Sequence, residues 1–343
     1  MSTDSSTDPR GPWLKTWGLA CVALVVLFTS LELFWRRHGY TPTLVSSEEL
    51  WSYQRERAEG AGPETIVLVG SSRMQFGFIH EAFREERPGV RIVQLAISGK
   101  PPVPTLRDLA EDESFGGTVI YSIVEATMFP GWQDQQSFVD YYHVKWGPGI
   151  KYSLLISAAL QQRLTFLQPR LGGPKLLESF FPGRGKRPHL PPLNYIHTRF
   201  DRWQFADYSL LTEKNIQGLI DLRIERYRKL LPDRPPAPVE AWRAYVENLV
   251  TLVARIEARG GRVVFVKFPA RGRFKELYDA YFPRTPYWDI LAASVSGTLH
   301  CDDMPGVDEL QLPDDSHLDV PSGIRFTKWI AREMAKRGDF EQP

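Results

Sequence analysis

This sequence contains few cysteines, and its positive and negative charges nearly cancel. Only two cysteines, Cys21 and Cys301, occur among 343 residues, which is too few for a disulfide framework or a cysteine-rich metal site. The 42 lysine and arginine residues against 41 acidic residues leave a formal net charge of +1. A nucleic-acid partner would require a basic excess, so we expect none, and no motif indicates a metal or a cofactor.

Long apolar runs are also rare, and the one present lies near the N-terminus. Residues 17–34 are apolar with only three polar interruptions, and Trp13, Trp17 and Trp35 stand where interfacial aromatics belong. This length is close to the lower limit of a membrane span. We therefore predict a transmembrane anchor over 13–36, preceded by a cytoplasmic tail over 1–12 and followed by a stalk over 37–62.

Three alternatives to a membrane anchor stay open: a cleaved signal peptide, a lipoprotein signal and a buried core helix. A signal peptide ends in a small-residue cleavage site, whereas residues 34–37 here read Phe-Trp-Arg-Arg. A lipoprotein signal places its apolar run before the cysteine, and here the run follows Cys21. Arginines and lysines are balanced across the segment, so the positive-inside rule leaves its orientation open.

Beyond the anchor, short buried-strand patterns alternate with helical segments. Two of the apolar runs end directly at a glycine, Gly70 or Gly99. Strand–helix alternation of this kind predicts an α/β fold. We expect a doubly wound, flavodoxin-like parallel sheet of about five strands within 63–343, with strands at 65–69, 90–98, 118–124 and 262–268.

The alternation stops between residues 129 and 238. This stretch is rich in aromatics and prolines and shows no clear strand, so we predict a helical insertion that could cap the active edge of the sheet. It also carries an excess of basic residues, such as Lys145, Arg163, Arg184 and Arg199. Two interpretations of this charge stay open: a groove for an anionic substrate, and a solvated basic surface near lipid headgroups.

Two short motifs carry the candidate chemistry. Ser71 and Ser72 follow the first strand, where an open α/β sheet binds its ligands, although a serine there can also be a simple helix cap. Asp314 and His317 stand three residues apart before the last predicted helix, a spacing that lets the carboxylate orient the imidazole. Each motif alone is weak, but together they predict an acyl-transfer triad of Ser72, Asp314 and His317.

At these motifs the sequence resembles the SGNH (GDSL-type) hydrolase superfamily. The tripeptide 70–72, Gly-Ser-Ser, looks like the first family block with serine in place of its aspartate, Gly99 matches the second block, and residues 314–317 match the last. The Gly-x-Asn of the third block is missing, since residues 123–126 read Ile-Val-Glu-Ala. The resemblance implies Ser72 as nucleophile, His317 as base, and an oxyanion hole from the N–H groups of Ser72 and Gly99.

A membrane-anchored chain with a Gly-Ser-Ser block is most similar to envelope proteins that handle O-acyl groups. These are the D-alanine transfer protein of teichoic acid synthesis and the O-acetylation proteins of exopolysaccharides. The resemblance implies a domain outside the cytoplasmic membrane and a serine esterase or O-acyltransferase that acts on polysaccharide. It implies an acylated carbohydrate or acyl donor as partner, and it allows a membrane-bound acyltransferase as another.

Two further side chains are weaker candidates for substrate binding. Arg73 follows the nucleophile position, where a helix-face salt bridge is the alternative, and Glu125 follows the third strand, where a buried structural carboxylate is equally reasonable. Two other function classes also stay open. One is a non-catalytic SGNH-fold partner or glycan-binding protein, favoured by the missing asparagine. The other is phosphate binding at the Gly-Ser-Ser turn, disfavoured because no lysine follows it.

Overall fold

The computed structural model describes residues 11–181 and 189–338. Most of the predicted tail and the basic residue Arg184 therefore lie outside the described residues. The chain divides into two compact units, Met1–Leu44 with Ile156–Asn194, and Val45–Leu155 with Tyr195–Pro343. The second unit holds the large sheet and every candidate site residue.

The helices and strands follow one another in the order expected of an α/β chain. The strands are β1 (Thr65–Val69), β2 (Arg91–Gln94), β3 (Thr118–Ser122), β4 (Ile196–Thr198), β5 (Gln204–Ala206), β6 (Arg262–Lys267) and β7 (Gly297–His300). The helices are α1 (Gly11–Arg37), α2 (Glu48–Glu56), α3 (Ser72–Gly77), α4 (His80–Glu86), α5 (Val103–Glu111), α6 (Gln136–Val144), α7 (Pro148–Gln161), α8 (Gly173–Phe180), α9 (Glu213–Leu230), α10 (Val239–Glu257), α11 (Gly272–Tyr281), α12 (Arg284–Ser294) and α13 (Val320–Lys336).

Five parallel strands form the main sheet in the order β2-β1-β3-β6-β7. The prediction of a parallel α/β sheet of about five strands is confirmed. Strands β1 and β3 are buried along their whole length because helices cover both faces of the sheet. This leaves the carboxyl edge of the sheet as the place where side chains can meet a ligand.

Alternate residues of each strand enter two separate cores. Val67 and Val119 belong to the core that includes Trp242 and Leu249 of α10. The intervening residues, such as Leu68, belong to the other core, which includes side chains of α4 and α13. Because strand side chains alternate between faces, this two-sided burial makes the sheet doubly wound.

Three short strands have no clear pattern in the sequence. β7 is four residues long and contains Gly297 and His300, so its pattern differs from that of a buried β-branched strand. The antiparallel pair β4 and β5 lies inside the stretch 129–238, where no strand was expected. Each of these strands is three residues long, too short for a recognisable alternation.

The predicted boundaries of the stalk and the insertion are wrong in part. Helix α2 does not belong to a stalk, because Trp51 is fully buried in the core and its indole N–H donates to the carbonyl of Leu95 at 2.9 Å. The stretch 129–238 is not one insertion either, because its middle part, Ile156–Asn194, belongs to the first unit, whereas its two ends belong to the second. Tyr142 and Ile220, at opposite ends of it, both belong to the same core as the sheet.

The first unit contains the apolar N-terminal helix. Within α1, Trp13–Arg37 is 25 residues long with a mean hydropathy of 2.1, and it is the one helix of the described residues that is long and apolar enough to cross a membrane. A signal sequence would meet the same criterion. Next to the end of α1, Trp35 and Tyr40 pack with Leu171 in a small core of their own.

Candidate functional site

A tight turn at the end of β1 places the candidate nucleophile. The strand stops at Val69, and α3 begins at Ser72. A Cβ atom on Gly70 would lie 2.8 Å from Cβ of Ser122 and 2.9 Å from Cβ of Met74, so only glycine fits this turn. The turn therefore holds Ser72 at the carboxyl edge of the sheet, in the first turn of a helix.

The loop before α13 holds the other two triad candidates. Oδ1 of Asp314 accepts hydrogen bonds from the backbone N–H groups of Ser316 at 3.2 Å and His317 at 2.9 Å. This arrangement turns the chain back on itself and leaves the other carboxylate oxygen free for the imidazole. Oδ2 of Asp314 lies 2.7 Å from Nδ1 of His317.

The structure brings the two motifs together. Oγ of Ser72 lies 2.8 Å from Nε2 of His317, although the residues are 245 positions apart in the chain. The ring of Phe76 covers the imidazole at a centroid distance of 5.0 Å. Ser72, His317 and Asp314 therefore form a continuous chain of hydrogen-bonding groups from hydroxyl to carboxylate.

The electrostatics of the site keep the imidazole neutral. Burial alone would raise the pKa of Asp314, but His317 and Arg223 hold that pKa well below its usual range. Burial lowers the pKa of His317; Asp314 opposes this effect, whereas the charges of Arg223 and Arg73 add to it. A neutral imidazole whose Nδ1–H points at the carboxylate leaves Nε2 free to accept the proton of Ser72.

Two residues at the Asp314 carboxylate were not anticipated. Nη2 of Arg223 donates to Oδ2 of Asp314 at 2.8 Å and lies 3.4 Å from Nδ1 of His317, and Nη1 donates to the backbone carbonyl of Asp314. Burial, followed by the nearby Asp314 carboxylate, raises the pKa of the Tyr208 hydroxyl. Arg223 lies on α9, within the stretch 129–238, and the basic character of that stretch was the sole signal for it.

Gly99 lies at the same cavity as Ser72. Its φ of +73° is in the left-handed region, where glycine is favoured because it has no Cβ. Its carbonyl accepts a hydrogen bond from Nη2 of Arg226 at 3.3 Å. Both residues of the predicted oxyanion hole thus line the same cavity as His317.

The cavity has a volume of about 360 Å³, which is in the range of small-ligand pockets. Ser72, Gly99 and His317 form one part of its wall. Aromatic and aliphatic side chains form another part, namely Phe76, Trp132, Leu219, Leu222 and Tyr227. An ester bound here would have an apolar surface for its carbon skeleton and polar groups at its carbonyl.

Arg73 lines this cavity but makes no salt bridge within the part of the chain that the structure describes. The side chain is buried, and its Nε donates to Oγ of Ser316 at 3.2 Å. Its guanidinium lies over the rings of Phe274 and Tyr278, with Cζ 5.3 Å and 5.4 Å from the ring centroids. The expected helix-face salt bridge is therefore replaced by aromatic contacts.

Glu125 is not brought to the cavity at Ser72. Oε2 of Glu125 accepts a hydrogen bond from the hydroxyl of Tyr278 at 2.6 Å and another from Nζ of Lys267. These residues line a second cavity of about 410 Å³. Glu125 therefore lies away from Ser72, in a buried ion pair with β6, which is the surrounding expected of a structural carboxylate, and its role in substrate binding stays a prediction.

The second cavity also contains a group of possible metal ligands. The ligand atoms of His300, Cys301 and Asp302 lie within 4.8 Å of one another. Burial raises the pKa of the Cys301 thiol, so this residue is protonated at neutral pH and is a poor ligand in that form. Nδ1 of His300 accepts a hydrogen bond from the N–H of Asp302 at 3.2 Å. The three residues are neighbours in a tight turn, which accounts for their proximity.

Comparisons with known proteins give little beyond this geometry. No protein-family model and no curated protein matches the chain. Among solved structures, the lipase/acylhydrolase from Enterococcus faecalis aligns with 80% of this chain and 96% of its own, at 12% sequence identity and a TM-score of 0.37. The function of this chain therefore has to be inferred from the geometry of its own site.

Proposed function

We propose that this protein is an SGNH-type serine esterase or O-acyltransferase that works through an acyl-Ser72 intermediate. The observation that carries the proposal is the chain of contacts from Ser72 Oγ to His317 Nε2 at 2.8 Å and from His317 Nδ1 to Asp314 Oδ2 at 2.7 Å. These are hydrogen-bond distances, as expected between a nucleophile and its base and between that base and the carboxylate that orients it.

The reaction follows from the positions of these atoms. His317 Nε2 takes the proton of Ser72 as Oγ attacks the ester carbonyl, and Asp314 stabilises the imidazolium that forms. The alcohol of the ester leaves with that proton, and the acyl group stays on Oγ. Water or a sugar hydroxyl then attacks the acyl-enzyme and gives its proton to His317, which returns that proton to Oγ as the acyl–Oγ bond breaks and Ser72 is released.

The oxyanion of each tetrahedral intermediate needs hydrogen-bond donors. In the proposal these are the backbone N–H groups of Ser72 and Gly99, which line the same cavity. The N–H of Ser72 is at the start of α3, where helical N–H groups have no partner inside the helix. Such donors contribute most when they are fixed before the charge develops.

The proposed place of action is the outer face of the cytoplasmic membrane. Trp13–Arg37 would be the single membrane span, with the α/β unit outside the cytoplasm. The proposed substrate is an acylated polysaccharide of the envelope or a secreted polysaccharide, and a membrane-bound acyltransferase would be a partner that supplies acyl groups. The apolar helix supports the anchor, while the orientation and the partners follow from the family resemblance alone.

The test is covalent labelling by a fluorophosphonate probe, which reacts with activated serines. The full-length protein in detergent should be labelled, and so should Ser71→Ala, because His317 contacts Ser72. Ser72→Ala should not be labelled. Labelling that survives Ser72→Ala would overturn the assignment, and so would a correctly folded wild type that takes no label at all.

A further inference from the structure

The cavity at Ser72 carries a concentration of positive charge. Four of its lining side chains are basic: Arg73, Lys100, Arg223 and Arg226. Within the described residues, 11–181 and 189–338, no aspartate or glutamate lines this cavity. We infer that the ester bound in this cavity carries an anionic group, a carboxylate or a phosphate, beside the acyl group. The inference deepens the proposed function and rests on it for the presence of an acyl group.

The positive charge in the cavity is largely uncompensated. Among the four, Arg223 is neutralised by Asp314. The other three have no carboxylate within ion-pair distance in the described part of the chain. A cleft that combines one sign of charge with apolar walls concentrates ions of the opposite sign.

Arg73 adds a buried donor to this charge. The residue is 4% exposed, and its Nη2 has no hydrogen-bond partner among the described residues. A buried charged N–H group without an acceptor is unfavourable, and a well-placed anion would supply one. Arg73 lines both cavities, and its charge acts on the imidazole of His317, whose pKa it lowers.

Arg226 is the side chain best placed to contact the anion. Its guanidinium lies over the indole of Trp132, with Cζ 4.7 Å from the ring centroid, and its Nη2 donates to the carbonyl of Gly99 at 3.3 Å. These contacts fix the planar group in the wall of the cavity. A guanidinium has five N–H groups, so donors remain for a carboxylate or a phosphate.

The charged and apolar parts of the cavity together describe the ligand. Leu219 and Leu222, on the same helix as Arg226, would lie against the carbon skeleton of the ester. The anionic group would lie between Arg226 and Lys100, on the side of Gly99. An acetylated sugar acid and an acetylated sugar phosphate both have this combination, whereas a neutral acetylated sugar lacks the group that the cations would bind.

Binding is measured with the full-length Ser72→Ala protein in detergent, so that no ester is consumed. The first pair of probes is an O-acetylated methyl glucuronoside and its neutral methyl ester. The second pair is an O-acetylated glucose phosphate and the corresponding O-acetylated glucoside. At least one anionic probe should bind about tenfold to a hundredfold more tightly than its neutral partner, the effect of one charge-assisted contact. The pair that shows the preference identifies carboxylate or phosphate as the anion.

Arg226→Gln in the same background should remove most of this preference. Arg228→Gln, an exposed arginine on the same helix outside the cavity, is the matched control and should keep it. Equal binding of charged and neutral probes in both pairs would overturn the inference. Fluorophosphonate labelling separates the two proposals: labelling without an anion preference refutes this inference alone, and a preference without labelling refutes the acyl chemistry alone.

Discussion

Arg223 donates a hydrogen bond to Oδ2 of Asp314, the same oxygen that lies 2.7 Å from Nδ1 of His317. The Asp314 carboxylate therefore accepts hydrogen bonds from both Arg223 and His317. Its negative charge stabilises the imidazolium less than an unshared carboxylate would, because the guanidinium is a fixed positive charge 3.4 Å from Nδ1. The arginine thus positions the carboxylate and at the same time weakens the base.

This relationship predicts a pH dependence. The base must be neutral, so labelling of Ser72 should increase as the pH rises through the pKa of His317, which burial and the two arginines place below its usual value. Arg223→Gln removes a nearby cation and should raise that pKa, so the acidic limb of the curve of labelling rate against pH should move to higher pH. The measurement is the rate of fluorophosphonate labelling between pH 4 and 8. Arg228→Gln should not shift it, and an unshifted limb in Arg223→Gln would contradict the prediction.

Asp314→Asn should reduce the labelling rate by about 10³- to 10⁴-fold, because an amide neither fixes the imidazole tautomer nor stabilises the imidazolium. The matched control is Asp315→Asn. Asp315 is the next residue, its φ of +64° is tolerated by asparagine, and it makes no contact with His317 among the described residues. Similar rates in the two variants would show that Asp314 has no role in activating the serine.

The ion pair between Glu125 and Lys267 should be important for stability. Their side chains are 3% and 11% exposed, so Glu125→Gln would leave a buried ammonium without its counter-charge. We expect a loss of about 3 kcal/mol in the free energy of unfolding, measured by denaturant titration. Asp221→Asn, which breaks an ion pair exposed on both sides, should cost less than about 1 kcal/mol. Equal losses would show that Lys267 is solvated.

Small neutral esters should be poor substrates. Two proposed oxyanion donors are available, and loss of a third typically costs about 2.7–4 kcal/mol of transition-state stabilisation. Such esters also lack groups that would be positioned by the remote parts of the cavity. Hydrolysis of p-nitrophenyl acetate by the full-length protein is the measurement, with Ser72→Ala as the blank. Rapid turnover would mean that neither a third donor nor a specific substrate is needed.

The proposed topology predicts a simple protection pattern. If Trp13–Arg37 spans the membrane with its C-terminal end outside, protease added to intact spheroplasts should digest the α/β unit. A cytoplasmic protein in the same sample should remain protected as the control. Digestion that requires lysis of the spheroplasts would place the unit on the cytoplasmic side.

Local patterns in the sequence were enough to select three residues that the structure brings together. Ser72 follows a continuous apolar strand, and Asp314 and His317 lie within one turn of each other, so short patterns sufficed to select residues that the structure brings together. Arg223 lies 91 positions from Asp314, and its helix has the composition of an ordinary solvent-exposed helix. No local pattern distinguishes it from its neighbours, because its role comes from tertiary packing alone.

The same distinction explains the errors in domain boundaries. Trp51 lies on a nine-residue helix next to the predicted anchor, and its position suggested a stalk. Its burial depends on α6, a helix from the supposed insertion, whose Phe138 and Tyr142 contact the indole ring edge-on. Side chains at both ends of the stretch 129–238 belong to the core of the α/β unit, so deletion of the whole stretch would destabilise that unit, and point substitutions are the appropriate probes of its role.

The cavity-facing side of α9 contacts the ligand in our proposal, while other elements carry the reacting groups. Leu219, Leu222, Arg223, Arg226 and Tyr227 recur at intervals of three and four residues, so they form one stripe on a single helix. The nucleophile and its base belong to other elements, the turn after β1 and the loop before α13. In evolution, substitutions along this stripe could therefore alter the choice of ligand while the reaction is inherited unchanged. Arg223, which contacts Asp314, and Arg226, which contacts Gly99, are the positions on the stripe where a change would affect both.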